Sequence, residues 1–458
     1  MDQNGFSQDL QGTMSEPQSP TLPPSDPDTY NFTPHTSYDS QNDGVSTTSS
    51  GKIRQTGDNM PGSQRGNFWA HHFMSLPTVF SSSPTNYNRQ PHSSSISRPT
   101  TPPHHRPKKS SVPAENADII ATPNVPSAPA PGMYWSRATT YGRGPSKCLR
   151  AHTATIIGEL MYIFGGCDVR NCFSTLFILD LDTLSWSKPR TYGDCPPPCR
   201  AHSSTLVERE MDIPGKKSSW IYVFGGGDGP NYSNALYVLD AETLIWTKPP
   251  THGTAPTPRR AHTTCYWQSK IYVFGGGDGA RALHDVHVLD ISDPKHLQWS
   301  EIQPTGALPG SRGYHTGNLV GDKYIIYGGS DGHECFSDVH ILDLPSNHWY
   351  QVELDCSIPR LSHTSTQVGS YLFVVGGHDG SKYSSEVLLL NLVTMNWETR
   401  KIYGTIPLSR GYHTVVLYDS RLILFGGYDG KNAFDDVYML ELSACAYLPQ
   451  ITNFIIDV

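Results

Sequence analysis

Short apolar runs closed by turn residues recur from about residue 133 onward, and six of them end in the pair Gly-Gly: MYIFGG (Gly165, Gly166), IYVFGG (Gly225, Gly226), IYVFGG (Gly275, Gly276), YIIYGG (Gly328, Gly329), LFVVGG (Gly376, Gly377) and LILFGG (Gly426, Gly427). A Trp or Tyr follows each pair by some twenty residues. A frame repeating near every fifty residues marks repeated units, none of which can bury its apolar face alone. In the unit opening at His262, apolar residues fall in runs too short for helices: one just after His262, one at 271–274, one at 285–289 and one around Trp299. Four such runs bounded by turn residues predict four short antiparallel strands per unit.

Each unit opens on a histidine: His152, His202, His262, His315, His363 and His413. Five of them precede Gly-Gly by 13 residues; the unit of His202 carries ten more, expected in an extended hairpin over 208–219 that contains Pro214 and Gly215. Insertions inside a fixed frame mark surface loops. Gly-Gly at the end of the second strand allows positive φ and close backbone approach near a crowded axis. The following Asp-Gly (Asp228-Gly229, Asp278-Gly279, Asp331-Gly332, Asp379-Gly380, Asp429-Gly430) supplies turn residues. Trp186, Trp246, Trp299, Trp349 and Trp397 fall on the fourth strand, where each can bury roughly 150 to 250 Å² against a neighbouring sheet.

An arginine stands just before every one of these histidines, at Arg150, Arg200, Arg260, Arg312, Arg360 and Arg410. Gly-Gly, a downstream Trp and an Arg-x-His or Arg-x-x-His opening resemble the kelch repeat, in six copies over about 133–442. The resemblance implies an all-β, six-bladed kelch β-propeller, each blade a four-stranded sheet around a central channel. The Gly-His to Trp-Asp signature of WD40 propellers is missing. Two segments compete for the outer strand of the last blade. Tyr134-Trp135 leads to Tyr141-Gly142 as Ser185-Trp186 leads to Tyr192-Gly193, which favours Trp135; Tyr447 sits where a sixth Trp would fall.

Residues 1–130 are rich in Ser, Thr and Pro with no apolar periodicity, so they are expected to be a disordered tail. The propeller is expected over 131–445, with a C-terminal extension at 446–458 whose last part, Ile451 to Val458, is apolar enough to pack along a blade edge. Within the tail, Ser19, Thr33, Ser83, Thr101 and Thr122 precede proline and are candidate phosphorylation sites; Phe68, Trp69, Phe73 and Phe80 form an aromatic island suited to docking on a partner; and 104–109 is a short basic patch.

Net charge is -8 with both signs interspersed, so no basic stripe points to nucleic acid. The amino terminus has neither a basic n-region nor an apolar h-region, and no apolar run approaches a membrane span. A cytoplasmic protein is expected, with the cell cortex or the nucleus as alternatives. The nine cysteines are odd in number and scattered, and are read as reduced thiols; Cys195 and Cys199 lack a second metal-ligand pair and are read as loop residues.

Six copies of Arg and His in one frame are read as structural bridges between blades, so no catalytic residue, metal or cofactor is expected. Plant nitrile-forming kelch proteins carry Glu, Asp and His at four-residue steps; here Glu334 and Asp338 are followed by Leu342. In a propeller of this kind the loop between strands two and three opens on the same face as the link to the next blade. The residues expected to line a partner-binding rim there are Arg170, Asn171, Asn231, Tyr232, Arg281, His333, Glu334, Lys382, Tyr383, Lys431, Asn432 and Phe434. The chain resembles freestanding kelch proteins of signalling and cell polarity, which implies a protein-binding scaffold. The alternatives are a ubiquitin-ligase substrate receptor and, less in keeping with the residues, a metal-dependent enzyme.

Overall fold

The computed structural model describes residues 132–210, 217–442 and 454–456, and among these every regular element is a strand. Six sheets are arranged around one axis. The first blade is built of Thr153–Ile157, Leu160–Phe164, Leu176–Asp180 and Ser185–Ser187 from hub to rim, each strand antiparallel to the next. The third blade shows the same order in Thr263–Trp267, Lys270–Gly277, Ala282–Asp290 and Leu297–Ile302. In the second, the innermost hairpin runs long, Ser203–Glu210 pairing with Lys217–Phe224 out to Glu210 and Lys217. The ten extra residues are therefore an extended hairpin; Pro214 and Gly215 at its tip lie outside the described residues.

The sixth blade takes its three inner strands from Thr414–Tyr418, Arg421–Phe425 and Val437–Glu441, and its outer strand from Met133–Arg137. Trp135 pairs with Leu440, so the beginning of the fold closes the ring against its end. Closure removes the two edges that an open array would expose. Trp135, and not Tyr447, supplies the outer position; Tyr447 itself lies outside the described residues.

A short parallel segment edges five of the six outer strands: Tyr141–Gly142, Tyr192–Gly193, Thr251–Gly253, Thr305–Gly306 and Ile402–Gly404. Each ends in a glycine of positive φ lying against the carbonyl of the outer-strand Trp; a Cβ at Gly142 would stand 2.3 Å from the Trp186 oxygen. Among the described residues the fifth blade has four strands and no such edge. Leu354 occupies the glycine's place there, and the Asp355 carboxylate accepts the backbone N–H of Trp397. Phe454 and Ile456 belong to the core cluster that also includes Leu354, Ile358, Met395 and Trp397. Of the C-terminal segment, only residues 454–456 lie within the described residues.

At the hub, Ala151, Ala201, Ala261, Tyr314, Ser362 and Tyr412 all take positive φ. Their backbones form a closed circle in which each N–H donates to the carbonyl of the preceding blade, Ala201 to Ala151 and so on to Ala151 onto Tyr412, at 2.8 to 3.0 Å. One residue outward the six histidines form a second circle, each Nε2 sharing a hydrogen bond with a hydroxyl on the preceding blade. The pairs are Thr414 with His152, Thr153 with His202, Ser203 with His262, Thr263 with His315, Thr316 with His363 and Thr364 with His413. Burial depresses every one of these rings, to about 3 for His152, His262, His363 and His413 and about 4 for His202. They are neutral struts.

The Gly-Gly pairs are squeezed between these histidines. A Cβ on Gly225 would stand 2.7 Å from the His262 ring of the next blade, and one on Gly226 would stand 2.7 Å from Cβ of His202 in its own blade. The aromatic residue before Gly-Gly then meets both the next blade's histidine and its tryptophan: Phe164 lies 5.5 Å from His202 and 4.9 Å from Trp246, centroid to centroid, and Phe224, Phe274, Tyr327 and Phe425 repeat the contact. Trp, His, Gly-Gly and the aromatic before it are thus one inter-blade joint, repeated at five of the six junctions, with Val375 in the aromatic's place at the sixth.

Candidate interaction face

The loops that follow Gly-Gly are built by one device. The Oδ1 of Asp168 accepts the N–H groups of Arg170 and Asn171, both at 2.7 Å. Asp278, Asp331, Asp379 and Asp429 hold Arg281, His333 with Glu334, Lys382, and Lys431 with Asn432 in the same way. An Asx turn consumes the carboxylate internally and turns the next side chains outward. The second blade uses a two-residue ladder instead, Gly227–Asp228 against Asn231–Tyr232. Of the rim residues expected from sequence, Arg170, Asn171, Asn231, Arg281, His333, Glu334, Lys382, Lys431 and Asn432 are exposed at the same level of successive turns.

Tyr232, Tyr383 and Phe434 are half-buried and braced. Tyr232 carries the Arg260 guanidinium 4.0 Å above its ring, bonds it through the hydroxyl, and packs on Gly279 of the next blade. Tyr383 lies edge-on to His378 at 4.8 Å and to Tyr428 at 6.2 Å. Phe434 lies 3.9 Å beneath the guanidinium of Arg410.

The arginines fall into two sets that the sequence did not separate. Three residues before the histidine, Arg259, Arg312, Arg360 and Arg410 are buried and grip Asp285, Asp338, Glu386 and Asp436. Their guanidinium groups also donate to strand-end carbonyls, Arg312 to Gly328 and Arg410 to Gly426. Asp285 and Asp338 are held far below the usual carboxylate range by these arginines and by His287 and His340, against the opposing pull of burial. Asp338 is thereby committed to Arg312 and His340, while Glu334 sits on the exposed turn. Two residues before the histidine, Arg150, Arg200 and Arg260 are buried on the first three blades. Arg150 lies 4.5 Å over Tyr428. On the other three blades that position is Gly313, Leu361 and Gly411, and the residues that follow include Tyr314 and Tyr412, edge to face at 5.4 Å. The cavity wall is therefore lined by alanine on the first three blades and by Tyr314, Ser362 and Tyr412 on the other three.

The axial cavity measures about 140 Å³ and is lined by the hub residues and the six histidines. Among the described residues no group of three or more His, Cys, Asp or Glu is arranged to hold a metal ion, and no helix is long and apolar enough to cross a membrane.

Six sheets joined by Trp, His and Gly-Gly, with variable turns gathered on one face, define a propeller of the protein-interaction type. The chain belongs to the kelch-repeat family: the model of the KLHDC2/KLHL20/DRC7 Kelch-repeats domain matches residues 127–219, 215–377 and 362–453. The chain is 31% identical to Kelch domain-containing protein 3 of Mus musculus over 234 residues, which is 46% of the chain and 57% of the relative. It is 35% identical to Acyl-CoA-binding domain-containing protein 5 of Arabidopsis thaliana over 130 residues, 28% of the chain and 18% of the relative. Against Host cell factor 1 of Homo sapiens identity is 34% over 145 residues, 28% of the chain and 7% of the relative. The matches thus span little more than half of the mouse relative and much less of the other two.

Proposed function

We propose that the protein is an intracellular scaffold for signalling or cell polarity that holds a protein or peptide partner on the face formed by the loops after Gly-Gly, and that it performs no catalysis. The observation that carries this reading is the register of the Asx turns, which hold eight exposed side chains outward on five blades, with Asn231 exposed on the ladder of the second. Arg170, Arg281, Lys382 and Lys431 project from four of the six turns, whereas the carboxylates of Asp168, Asp278, Asp331, Asp379 and Asp429 accept backbone N–H groups, which leaves Asp228 and Glu334 as the exposed acids of the turns. Such a rim suits a partner segment rich in acidic and amide side chains. A cytoplasmic or cortical location follows from the same reading.

The test is affinity capture with the full chain beside a variant carrying Arg170→Ala, Arg281→Ala, Lys382→Ala and Lys431→Ala. These side chains are exposed, so the melting temperature should stay within a few degrees while partners captured by the wild type are lost. Equal capture by both proteins would remove the rim from the binding site. Recovery of a cullin among the lost partners would turn the reading from scaffold to ubiquitin-ligase receptor.

A further inference from the structure

The first turn on this face differs from the other five. The residue after Gly-Gly and the residue five positions later face each other as an isolated antiparallel bridge in blades one, four, five and six, and as part of a strand pair in the other two. The facing pairs are Gly227 with Tyr232, Gly277 with Ala282, Ser330 with Cys335, His378 with Tyr383 and Tyr428 with Ala433. In blade one both positions are cysteine, Cys167 and Cys172.

The backbone bonds around this pair fix its type. Phe173 N–H donates to Gly166 and Asp168 N–H donates to the Asn171 carbonyl, one step outside the pair on either side, while Cys167 turns its own N–H and C=O to Arg150. Cys167 and Cys172 are therefore a non-hydrogen-bonded antiparallel pair. Such pairs hold their Cα atoms about 4.5 Å apart with the side chains on one face, within the roughly 4.4 to 6.8 Å that a disulfide spans. Both thiols are free.

We propose that Cys167 and Cys172 are a redox-active dithiol, oxidised by peroxides to a reversible disulfide that clips the turn bearing Arg170 and Asn171. The surroundings favour Cys167 as the attacking sulfur. A hydrogen bond from Cys172 and the charges of Arg150 and Arg200 hold its thiol below the ordinary value against the effect of burial, and Arg200 Nη1 lies 3.8 Å from its sulfur. Cys172 is pushed up by the same contact and keeps its proton. The thiolate, not the thiol, is the nucleophile.

In the first step Cys167 Sγ attacks one peroxide oxygen. The O–O bond breaks, a sulfenic acid forms, and the second oxygen leaves as hydroxide, which takes up a proton to become water. In the second step Cys172 gives up its proton and attacks the Cys167 sulfur. The S–S bond forms, the S–O bond breaks, and the oxygen departs as a second water. The two thiols lose two electrons and the peroxide gains them. Cys167 is buried and Cys172 half-buried, so the site admits a small oxidant ahead of a bulky disulfide.

Arg170 lies between the two cysteines and makes the test direct. Trypsin separates 151–170, with Cys167, from 171–190, with Cys172, unless the disulfide joins them. Full-length reduced protein is treated with hydrogen peroxide at neutral pH, its remaining thiols are alkylated, and it is digested without reductant. The expected product is the linked pair, lighter by two hydrogens than the sum of its peptides and released by dithiothreitol, appearing before oxidation of the exposed Cys195 and Cys356. The Cys172→Ser variant should instead show oxygen added at Cys167. Separate, alkylated 151–170 and 171–190 in a sample whose Cys195 or Cys356 is already oxidised overturns the proposal, as does linkage of Cys167 to Cys199.

Discussion

The contrast between a buried ion pair and its apolar substitute is present within this one molecule. Four blades set an arginine three residues before the hub histidine and an acid at the base of the third strand. The first two blades put Leu149 with Thr175 and Cys199 with Ala235 at the same two places. Arginine and acid come and go together because either alone would be a buried charge without a counterion. Arg410→Leu should therefore destabilise the fold by about 3 to 5 kcal/mol, and Arg410→Leu with Asp436→Leu by much less. Denaturant midpoints of the two variants check this; equal losses would mean that the guanidinium acts through its bonds to carbonyls and not through the acid. From sequence the six arginines looked alike, since a one-residue shift between Arg-x-His and Arg-x-x-His is small in spacing. In space it moves the side chain away from the third-strand acid and, in Arg150 and Arg260, onto the rings of Tyr428 and Tyr232.

At the level of the strand, the repeat was legible because Gly-Gly, His and Trp answer one contact and so recur in one frame. The outer position of Trp135 was legible for the same reason, through the shared Tyr-Gly that closes on the tryptophan carbonyl. Features without a second copy were not. The fifth blade's different edge shows only as Leu354 in place of a glycine, and Phe454 and Ile456, some hundred residues away, join the same core cluster. The rim was legible as a face but not as a set of roles. Tyr232, Tyr383 and Phe434 match the composition of binding anchors, yet each is braced against a buried cation or a neighbouring ring. A chain beginning at residue 132 should melt with the full-length protein. One beginning at 143 loses Met133–Arg137 and Tyr141–Gly142, leaves Val437–Glu441 as a bare edge, and should melt at least several degrees lower by calorimetry. Coincident transitions would mean that some other segment completes the sixth blade.

For the molecule as a whole, the histidine circle ties stability to acidity. Five of its rings are depressed to about 3 or 4 in the fold and His315 well below the ordinary value, while an unfolded histidine titrates near about 6.5. As pH falls below that unfolded value the unfolded chain takes up protons that the fold refuses. The stabilisation is therefore complete above pH ~6.5 and is lost progressively on the way down, by up to about 1.4 kcal/mol per pH unit for each ring. The carboxylates titrate lower, so a fall in melting temperature between about pH 6.5 and 5 belongs to the histidines. A flat profile across that interval would show that the rings can be charged in place.

Six peptide groups at the hub each donate to the next in a single rotational sense, so the circuit has no first or last member. Breaking it between Ala151 and Tyr412, where the first and sixth blades meet, is equivalent to breaking it between any two consecutive blades. The protons on those six nitrogens should accordingly leave for deuterated water on one shared schedule, set by dissolution of the entire wheel. A proton that departs ahead of its five companions would identify the one spoke able to swing free.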